Sequence, residues 1–380
     1  MPRGIGQLTS LENLSAFMVA KDNGVSKHSG RLGELRDLNN LRGNLRIMNL
    51  RYVKNPASEF KAANLKEKQY LQTFRLSWKL GPPYDNNCDS GPDEVENDEE
   101  MSLEELQPHL NLKWFLVFGR GRLLFPSWIS SLNNLVVLRI DNCKKCQHFP
   151  PLDQFPSLKR LTIENLTDLE YIESGINCDN ALFFPSLENL WLENCPNLKG
   201  WRRDTSTPQL LQFHCLDYLE IRGVDDKSHI TPTSLYSVLS KNNKGVFCFA
   251  TSNPLEKLVF LACEELDLSD SEDHSDMPWQ YLTRLQVLIF ENLFKLASLP
   301  KGLQHVHTLR TLAIKSCPNL ISLPEWMESL TALQYLWIEE CPQLSERCQN
   351  NMGADWPKIA HTPNISIDGR WIQKDCCYKL

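Results

Sequence analysis

Residues 333–341 (LQYLWIEEC) repeat the pattern of residues 309–317 (LRTLAIKSC), which lie 24 residues earlier in the chain. Both fit the frame L-x-x-L-x-L-x-x-C, with Ile or Phe often at the sixth position. Internal repeats of this kind determine the architecture, so they are interpreted before any single motif. Six further strong copies begin at Leu135, Leu158, Leu187, Leu216, Leu255 and Leu285. Weaker copies begin at Leu11, Leu71 and Leu112, and a copy with a one-residue insertion begins at Leu41.

The strong copies follow one another at intervals of 23 to 39 residues, and the shortest intervals, 23 and 24, define the unit. This spacing falls in the range of leucine-rich repeats, roughly 20–29 residues. Apolar residues alternate with period two in each copy, which predicts a short strand with one buried face. The rest of each unit is the return path that a parallel neighbour requires. The sequence therefore predicts an α/β leucine-rich-repeat solenoid, with a parallel β-sheet on its concave face and mostly irregular or short helical convex segments.

The ninth frame position explains many of the 13 cysteines. Five strong copies have Cys there, and the other three have Leu or Val, so the position is expected to be a small buried hydrophobe. Cys143, Cys146 and His148 resemble half of a zinc site, but no second ligand pair follows at a suitable spacing. No metal and no cofactor is therefore predicted.

The repeats suggest three regions. Residues 1–70 are divergent N-terminal repeats, residues 71–355 are leucine-rich repeats with acidic insertions, and residues 356–380 are a C-terminal cap and tail. Met1-Pro2 aligns with Leu323-Pro324, which places the start of the chain inside a repeat. Terminal repeats need a polar cap, so we expect an upstream element to cover this edge in an ancestral protein. Without it, the first two units are expected to be aggregation-prone or frayed.

The net charge of −7 comes from two acidic tracts. Residues 85–100 (DNNCDSGPDEVENDEE) contain 8 acids, and residues 264–276 (EELDLSDSEDHSD) contain 7, with no Lys or Arg in either. The remaining 40 basic and 32 acidic residues leave the rest of the chain at +8. We interpret both tracts as solvated loop insertions, with docking on the chain's own basic surface as the alternative.

Composition excludes several classes of protein. With 42% hydrophobic and 23% charged residues, the chain is globular rather than disordered or fibrous. It contains neither a stretch long enough for a bilayer helix nor the hydrophobic core of a signal peptide. Its cysteine usage favours a reducing compartment, so the expected location is cytoplasmic.

Several segments resemble the leucine-rich-repeat region of plant coiled-coil nucleotide-binding disease-resistance proteins (NB-LRR proteins). They are residues 1–11 (MPRGIGQLTSL), 35–43 (LRDLNNLRG) and 62–68 (AANLKEK), the FPSL turns at 155–158 and 184–187, and the CPxL turns at 195–198, 317–320 and 341–344. The resemblance implies recognition of a pathogen effector or host protein, which in an intact parent regulates an upstream switch that binds ADP or ATP. The chain has no G-x-x-x-x-G-K-[ST] phosphate loop, so nucleotide binding is assigned to none of its residues.

Frame positions 3, 5, 7 and 8 are expected to point onto the concave sheet, where a partner would touch. Position 7 is acidic in five of the eight strong copies, which favours a basic partner surface; a merely solvated face is the alternative. Exposed Trp and Tyr residues at positions 3 and 5 are candidate anchors unless insertion loops cover them. The predicted partner-binding residues are Trp114, Arg139, Asp141, Arg160, Glu164, Trp191, Glu193, Tyr218, Glu220, Arg222, Glu291, Lys315, Tyr335, Trp337 and Glu339.

The favoured function is therefore protein recognition in plant innate immunity, by a chain that is not an enzyme. Its expected partners are an effector or host protein and the nucleotide-binding domain of the parent architecture. Neither nucleic-acid binding nor membrane insertion is expected, and the chain is expected to be a monomer. The alternatives are a leucine-rich-repeat adaptor or substrate receptor unrelated to immunity and, with less support, an extracellular receptor with the glycosylation sequon at Asn165.

Overall fold

The computed structural model describes residues 1–20, 30–78, 101–119, 123–143, 146, 148–149, 155–174, 184–198, 200–203, 215–223, 255–263, 279–350, 352–375 and 377–378. The acidic tracts at 85–100 and 264–276 lie outside the described residues. The chain divides into two compact units, unit 1 (Met1–Glu173) and unit 2 (Ser174–Leu380), and each is described by itself.

Short strands dominate the secondary structure, and helices are brief. The strands are β1 (Ala16–Met18), β2 (Gly43–Met48), β3 (Leu71–Ser77), β4 (Met101–Ser102), β5 (Trp114–Phe118), β6 (Leu123–Leu124), β7 (Val137–Asp141), β8 (His148–Phe149), β9 (Arg160–Glu164), β10 (Tyr171–Ser174), β11 (Asn189–Glu193), β12 (Gly200–Arg203), β13 (Tyr218–Arg222), β14 (Lys257–Leu261), β15 (Val287–Glu291), β16 (Thr311–Lys315), β17 (Tyr335–Glu339), β18 (Asn364–Ile367), β19 (Arg370–Lys374) and β20 (Cys377–Tyr378). The α-helices are α1 (Pro56–Ala63), α2 (Pro342–Arg347) and α3 (Trp356–Ile359).

Unit 1 contains a parallel sheet in the order β1-β2-β3-β5-β7-β9. The frame positions lie in register from strand to strand, since Phe74 pairs with Phe115, Phe115 with Leu138 and Leu138 with Leu161. In unit 2 the parallel order is β11-β13-β14-β15-β16-β17-β18, with equivalent register. Each unit is therefore a leucine-rich-repeat solenoid, as the repeat predicts.

The frame residues form the core. Leu135, Leu138 and Ile140 are fully buried, as are the equivalent residues of the other strong copies to within 1%. Aromatic residues stack between neighbouring repeats, with ring centroids 5.8 Å apart for Phe74 and Phe115 and for Phe260 and Phe290. The prediction of one shared interior is confirmed.

The ninth frame position is also buried. Cys143, Cys195, Cys263, Cys317 and Cys341 are at most 2% exposed. Burial raises the pKa of the Cys263 thiol to about 12, so this thiol is a packing group rather than a thiolate nucleophile. The prediction of core cysteines is confirmed.

The segments that lead back to each strand are irregular or form short 3₁₀ turns. Those at Ser127–Ser131, Lys301–His305 and Glu325–Ser329 each begin directly after a proline. Proline has a fixed φ and no N–H to leave unpaired at the start of a turn. This accounts for the recurrence of Leu-Pro or Phe-Pro on the return path.

The frame drawn from Leu11 and Leu14 is displaced by one residue from the observed register. Phe17 pairs with Ile47 at position 6, and Ala16 pairs with Arg46 at position 5. Leu8 is 57% exposed, and Phe17 is fully buried. The larger ring of Phe17 therefore fills the core position that the pattern had assigned to Ala16.

Position 8 lies directly after the strand, and its backbone conformation restricts which residues can occupy it. Its residue follows the strand in a left-handed conformation in many copies, with φ of 59° at Asn142, 49° at Asn194 and 56° at Asn292. Asparagine tolerates this conformation better than most residues, and this tolerance explains its recurrence. Asn165, at φ 57°, donates a hydrogen bond to Asp141 at 2.9 Å, which gives it a structural role within the repeat.

The C-terminal segment closes unit 2 with more structure than a polar tail. After α2, α3 and β18, strand β19 pairs antiparallel with β18, and β20 pairs antiparallel with β19. Asp355 is fully buried and accepts hydrogen bonds from Arg347, Lys358 and the Leu323 amide. This network connects the closing segment to the last repeat.

A buried lysine joins two repeats of unit 1. Lys68 is fully buried, and its Nζ donates hydrogen bonds to the Leu35 carbonyl at 2.6 Å and to Asn39 Oδ1 at 3.4 Å. Desolvation lowers its pKa from 10.5 to about 8, against the attraction of Asp37 and Glu67. Burial therefore makes the charged form of Lys68 less favourable than that of a lysine in water.

We expect the stability of the wild type relative to Lys68→Met to rise as the pH increases from about 8 to 10.5. In this window the unfolded state binds more protons than the folded state, so folding becomes more favourable as the pH rises, by about 2 kcal/mol. Urea denaturation of both proteins at several alkaline pH values measures the difference in their free energies of unfolding. The ionisation of cysteines and tyrosines affects both proteins equally and therefore cancels in this difference. A difference that is flat over this range would contradict a neutralised Lys68.

Candidate recognition surface

The candidate surface is the solvent-facing side of the two sheets, where frame positions 3, 5 and 7 lie. Burial alternates along several strands, as in β11, where Leu190 and Leu192 are buried while Asn189, Trp191 and Glu193 are half-buried. All the predicted partner-binding residues lie on these strands. Trp114, Arg139, Asp141, Arg160 and Glu164 belong to unit 1, and the rest belong to unit 2.

An aromatic cluster lies at β11 and β13 of unit 2. The ring centroids of Trp191 and Tyr218 are 5.2 Å apart. Lys257 lies on the next strand, β14, and its Nζ is 5.0 Å from the centroid of the Tyr218 ring. The Tyr218 hydroxyl donates a hydrogen bond to Glu220. Burial and this acceptor raise the pKa of Tyr218. The tyrosine is therefore a neutral, fixed contact surface.

A second aromatic cluster lies at β17. Tyr335 is 40% exposed, and Trp337 is half-buried, with its ring edge-on to that of Trp371 at 5.2 Å. Four strand spacings of about 4.8 Å separate β13 from β17, so the two clusters lie about 19 Å apart. Val259, Ile289 and Ala313 continue the row of Trp337 across the strands between them. Ile289 is half-buried, whereas Val259 and Ala313 are only 6% and 5% exposed, so unit 2 presents two separate aromatic clusters.

The acidic position-7 row of unit 2 is partly neutralised within the sheet. Arg222 lies 3.6 Å from Glu193 and 4.0 Å from Glu220, and Lys315 lies 2.9 Å from Glu339. The hydrogen bond that Lys315 donates to Glu339 raises the pKa of Lys315. The expected repulsion along this row is therefore offset by neighbouring cations, and the partner charge that the row favours stays a prediction.

A further row of carboxylates precedes the strands of unit 2. Glu188, Asp217 and Glu256 occupy position 2 of three successive repeats. Burial, followed by the like charges of Glu188 and Glu256, raises the pKa of Asp217. Asn189 donates a hydrogen bond to this carboxylate at 3.1 Å, so part of the row is occupied by contacts within the fold.

Three of the predicted residues of unit 1 form a cluster of ion pairs, and the other two are exposed on the same face. Arg139 contacts Glu164 and lies 3.8 Å from Asp141. Asp141 is only 8% exposed and accepts a hydrogen bond from Asn165, so little of it is accessible to a partner. Trp114, 44% exposed, and Arg160, also exposed, lie on the same face.

Sequence reasoning missed several residues of these faces. Arg46 and Arg75 occupy position 5 of the weaker copies, and the Phe118 ring lies between Arg75 and Arg139, at 4.2 and 5.3 Å from their guanidinium carbons. Trp371 lies beyond the last copy of the frame. If position 5 of the divergent repeats had also been considered as a surface position, the two arginines would have been predicted. Trp371 lies outside the repeat pattern, so the pattern could not have indicated it.

The described residues include no group of three or more His, Cys, Asp or Glu side chains arranged to hold a metal ion. The helices among those residues are too short or too polar to span a bilayer.

The ladder of in-register strands, the leucine core and the variable face define a leucine-rich-repeat protein. Residues 32–166 match the family model for R13L1/DRL21 LRRs. The chain is a leucine-rich-repeat homologue of plant disease resistance proteins.

Three relatives illustrate the similarity. Disease resistance protein RGA2 of Solanum bulbocastanum is 35% identical over 95% of this chain and 36% of its own length. RGA4 of the same species is 34% identical over 68% of this chain and 27% of its own length. The RPP13-like protein 1 of Arabidopsis thaliana is 28% identical over 60% of this chain and 21% of its own length. The chain thus spans about a third or less of these relatives.

Solved structures of leucine-rich-repeat proteins are similar at lower identity. An internalin of Listeria monocytogenes is 14% identical, with a TM-score of 0.38 over 93% of this chain and 80% of its own. A leucine-rich-repeat protein of Leptospira interrogans is 16% identical, with a TM-score of 0.26 over 89% of this chain and 92% of its own.

Proposed function

We propose that the chain is a protein-recognition module of plant innate immunity that binds a pathogen effector or a host protein through its sheet faces. In an intact parent protein, this binding would regulate a nucleotide switch. The homologous disease resistance proteins support the biological setting. The proposed location is the cytoplasm, and the proposed form is a monomer.

The observation that carries the proposal is the pair of aromatic clusters on the face of unit 2. Trp191 and Tyr218 form one cluster, and Tyr335 and Trp337 belong to the other. Tryptophan and tyrosine are the residues most enriched among binding hot spots, and here rigid strands hold them in place. The buried leucines keep the scaffold constant while the residues between them vary, which suits recognition better than catalysis. An adaptor unrelated to immunity would share the geometry, but no homologue supports that alternative.

Replacing Trp191 or Trp337 by alanine should reduce capture of the partner at least about ten-fold, because each substitution removes a clustered aromatic anchor. The melting temperature should stay close to that of the wild type, since both side chains lie on the solvent side of the sheet. The measurement is co-purification from pathogen-challenged leaf extract with quantitative mass spectrometry.

Phe294→Ala is the matched control, because Phe294 is 46% exposed but lies in a turn off the sheet face. A protein captured by the wild type and by this control, but depleted with both tryptophan variants, supports the proposal. Equal capture by all four proteins would contradict it. A large loss of melting temperature would show that the tryptophans belong to the core.

A further inference from the structure

The sheet face of unit 1 is rich in cations. Acidic groups on the strands of this face are few, and both Asp141 and Glu164 already contact Arg139. The Glu12 carboxylate lies 3.5 Å from Arg42 in a pair that is more than half exposed on both sides, so solvent screens it. We call the following residues the basic face: Arg42, Arg46, Arg75, Lys113, Arg139 and Arg160.

Two arginines of the basic face are direct neighbours. Arg46 of β2 is the register partner of Arg75 of β3, and adjacent strands lie about 4.8 Å apart. Like charges in such a pair destabilise a sheet. Among the described residues, Arg46 has no ion-pair partner, and its buried Nε has no hydrogen-bond acceptor. An anion above Arg46 would supply the missing acceptor and offset the charge of the pair.

A polar cleft of about 470 Å³ lies where β2, β3 and β5 begin. Its described lining includes the cations Arg42 and Lys113 and the amide of Gln72, and no carboxylate. Asn111 and Asn134 are held in its wall, because each donates a 3.1 Å hydrogen bond to a backbone carbonyl of the preceding repeat. The cleft is therefore an open, positively charged depression that a small group or a side chain can enter.

The cleft and the arginine pair lie along the same strands. Gly43 and Gln72 line the cleft, and Arg46 and Arg75 follow three residues further along β2 and β3. At about 3.3 Å per residue, this separation is about 10 Å. In a polyproline II segment, which has three residues per turn and rises about 3.1 Å per residue, two carboxylates three residues apart lie on the same side at about this distance.

We propose that the basic face binds an acidic peptide segment of a protein partner, with one carboxylate in the cleft and another above Arg46 and Arg75. This proposal rests on the proposed recognition function and specifies the chemistry of the partner. Leu116 lies between Arg75 and Arg139 in the same row and suits an apolar peptide side chain. The Arg42 guanidinium lies over one face of the Tyr70 ring at 4.7 Å, and Tyr70 is 43% exposed, so binding of single-stranded nucleic acid is tested as an outcome that would contradict the proposal.

The test uses the full chain and fluorescence anisotropy at near-physiological salt. The probes are fluorescein-labelled poly-glutamate, poly-lysine and single-stranded DNA of equal length. The double variant Arg46→Gln/Arg75→Gln and the single variant Lys113→Gln remove cations of the basic face. Arg310→Gln is the matched control, because Arg310 is an exposed cation that precedes β16 of unit 2 as Lys113 precedes β5 of unit 1.

The wild type and Arg310→Gln are expected to bind poly-glutamate in preference to the other probes. The double variant should raise the Kd about ten-fold, and Lys113→Gln should raise it about five-fold, because charge-assisted hydrogen bonds are lost. The double variant should melt no lower than the wild type, since it removes a like-charge contact.

Three results would overturn the proposal. They are absence of poly-glutamate binding by the wild type, equal binding by all variants, and tighter binding of DNA through the same residues. Failure here leaves the capture experiment on Trp191 and Trp337 untouched, because those residues belong to unit 2.

Discussion

Replacing Asp355 by alanine should destabilise the C-terminal part of unit 2 by about 4 kcal/mol, as expected when one partner of a buried ion pair is removed. Asp355 is fully buried and lies 2.9 Å from Arg347 Nε and 2.9 Å from Lys358 Nζ. Its other contact is the buried Leu323 amide, at 3.0 Å. Alanine would leave the amide without this acceptor. Lys358, whose side chain is 12% exposed, would keep its hydrogen bond to the Leu323 carbonyl, but among the described residues its remaining ion-pair partner would be the exposed Glu325.

Hydrogen exchange of the amides in α2, α3 and β18 measures this effect where it arises, because repeat arrays can unfold locally. Glu325→Gln is the matched control. Glu325 also lies 2.9 Å from Lys358, but its side chain is 85% exposed, so its loss should cost less than about 1 kcal/mol. Equal protection in the two variants would show that Asp355 has no special role in closing the unit.

The same network predicts sensitivity to acid. Burial alone would raise the pKa of Asp355, but the hydrogen bonds from Arg347, Lys358 and the Leu323 amide lower it below 3.8. A carboxylate with a depressed pKa stabilises the fold above its unfolded pKa, and this contribution is lost as the pH falls through the folded value. The stability difference between the wild type and Asp355→Ala should therefore shrink below pH 3.8.

The core was predictable because the side-chain period of a strand and the length of a repeat are both visible in the sequence. Leu312, Ile314 and Cys317 recur 24 residues later as Leu336, Ile338 and Cys341, and all six are at most 1% exposed. A one-residue slip would turn these side chains to solvent, so the register is strongly specified. The positions of the candidate anchors on the face follow from the same register.

Features that depend on contacts between repeats were not predictable from the frame. The left-handed conformation of position 8 is a property of the backbone, and the pattern of apolar residues does not report it. The insertion in the copy at Leu41 is absorbed at Gly43, where φ is 69° and the pairing with β3 is irregular. The packing of Trp371 on Trp337 depends on an antiparallel turn that lies outside the repeat.

The basic face illustrates the same limit. Neither Arg46 nor Arg75 is unusual in the sequence, because each is one polar residue between two apolar ones. Their significance arises only when β2 and β3 place them side by side. Comparing the surface residues of a weak copy with those of its neighbouring strand therefore identifies candidate sites that the strong copies alone do not indicate.

Replacing Gly223 by alanine should destabilise unit 2 by about 3 kcal/mol, because the added methyl group overpacks a closed site. A Cβ at this residue would lie 1.9 Å from the Ala262 carbonyl oxygen and 3.1 Å from the Cys263 Cα. These are backbone atoms, so no side-chain rotation can relieve the contact. The Gly223 amide also donates a 2.8 Å hydrogen bond to the Leu261 carbonyl, which holds the two repeats at this distance.

Urea denaturation and hydrogen exchange across β13 and β14 measure the loss. Gly33→Ala is the matched control, because the same methyl group there meets only the Ala62 Cβ at 3.6 Å, an ordinary contact. That control should be neutral or slightly stabilising, since alanine reduces the freedom of the unfolded chain. If Gly223→Ala behaves like this control, the close approach of the Gly223 and Ala262 backbones does not exist in solution. A loss confined to Gly223→Ala would show that a single methyl group decides whether neighbouring repeats can pack at this point.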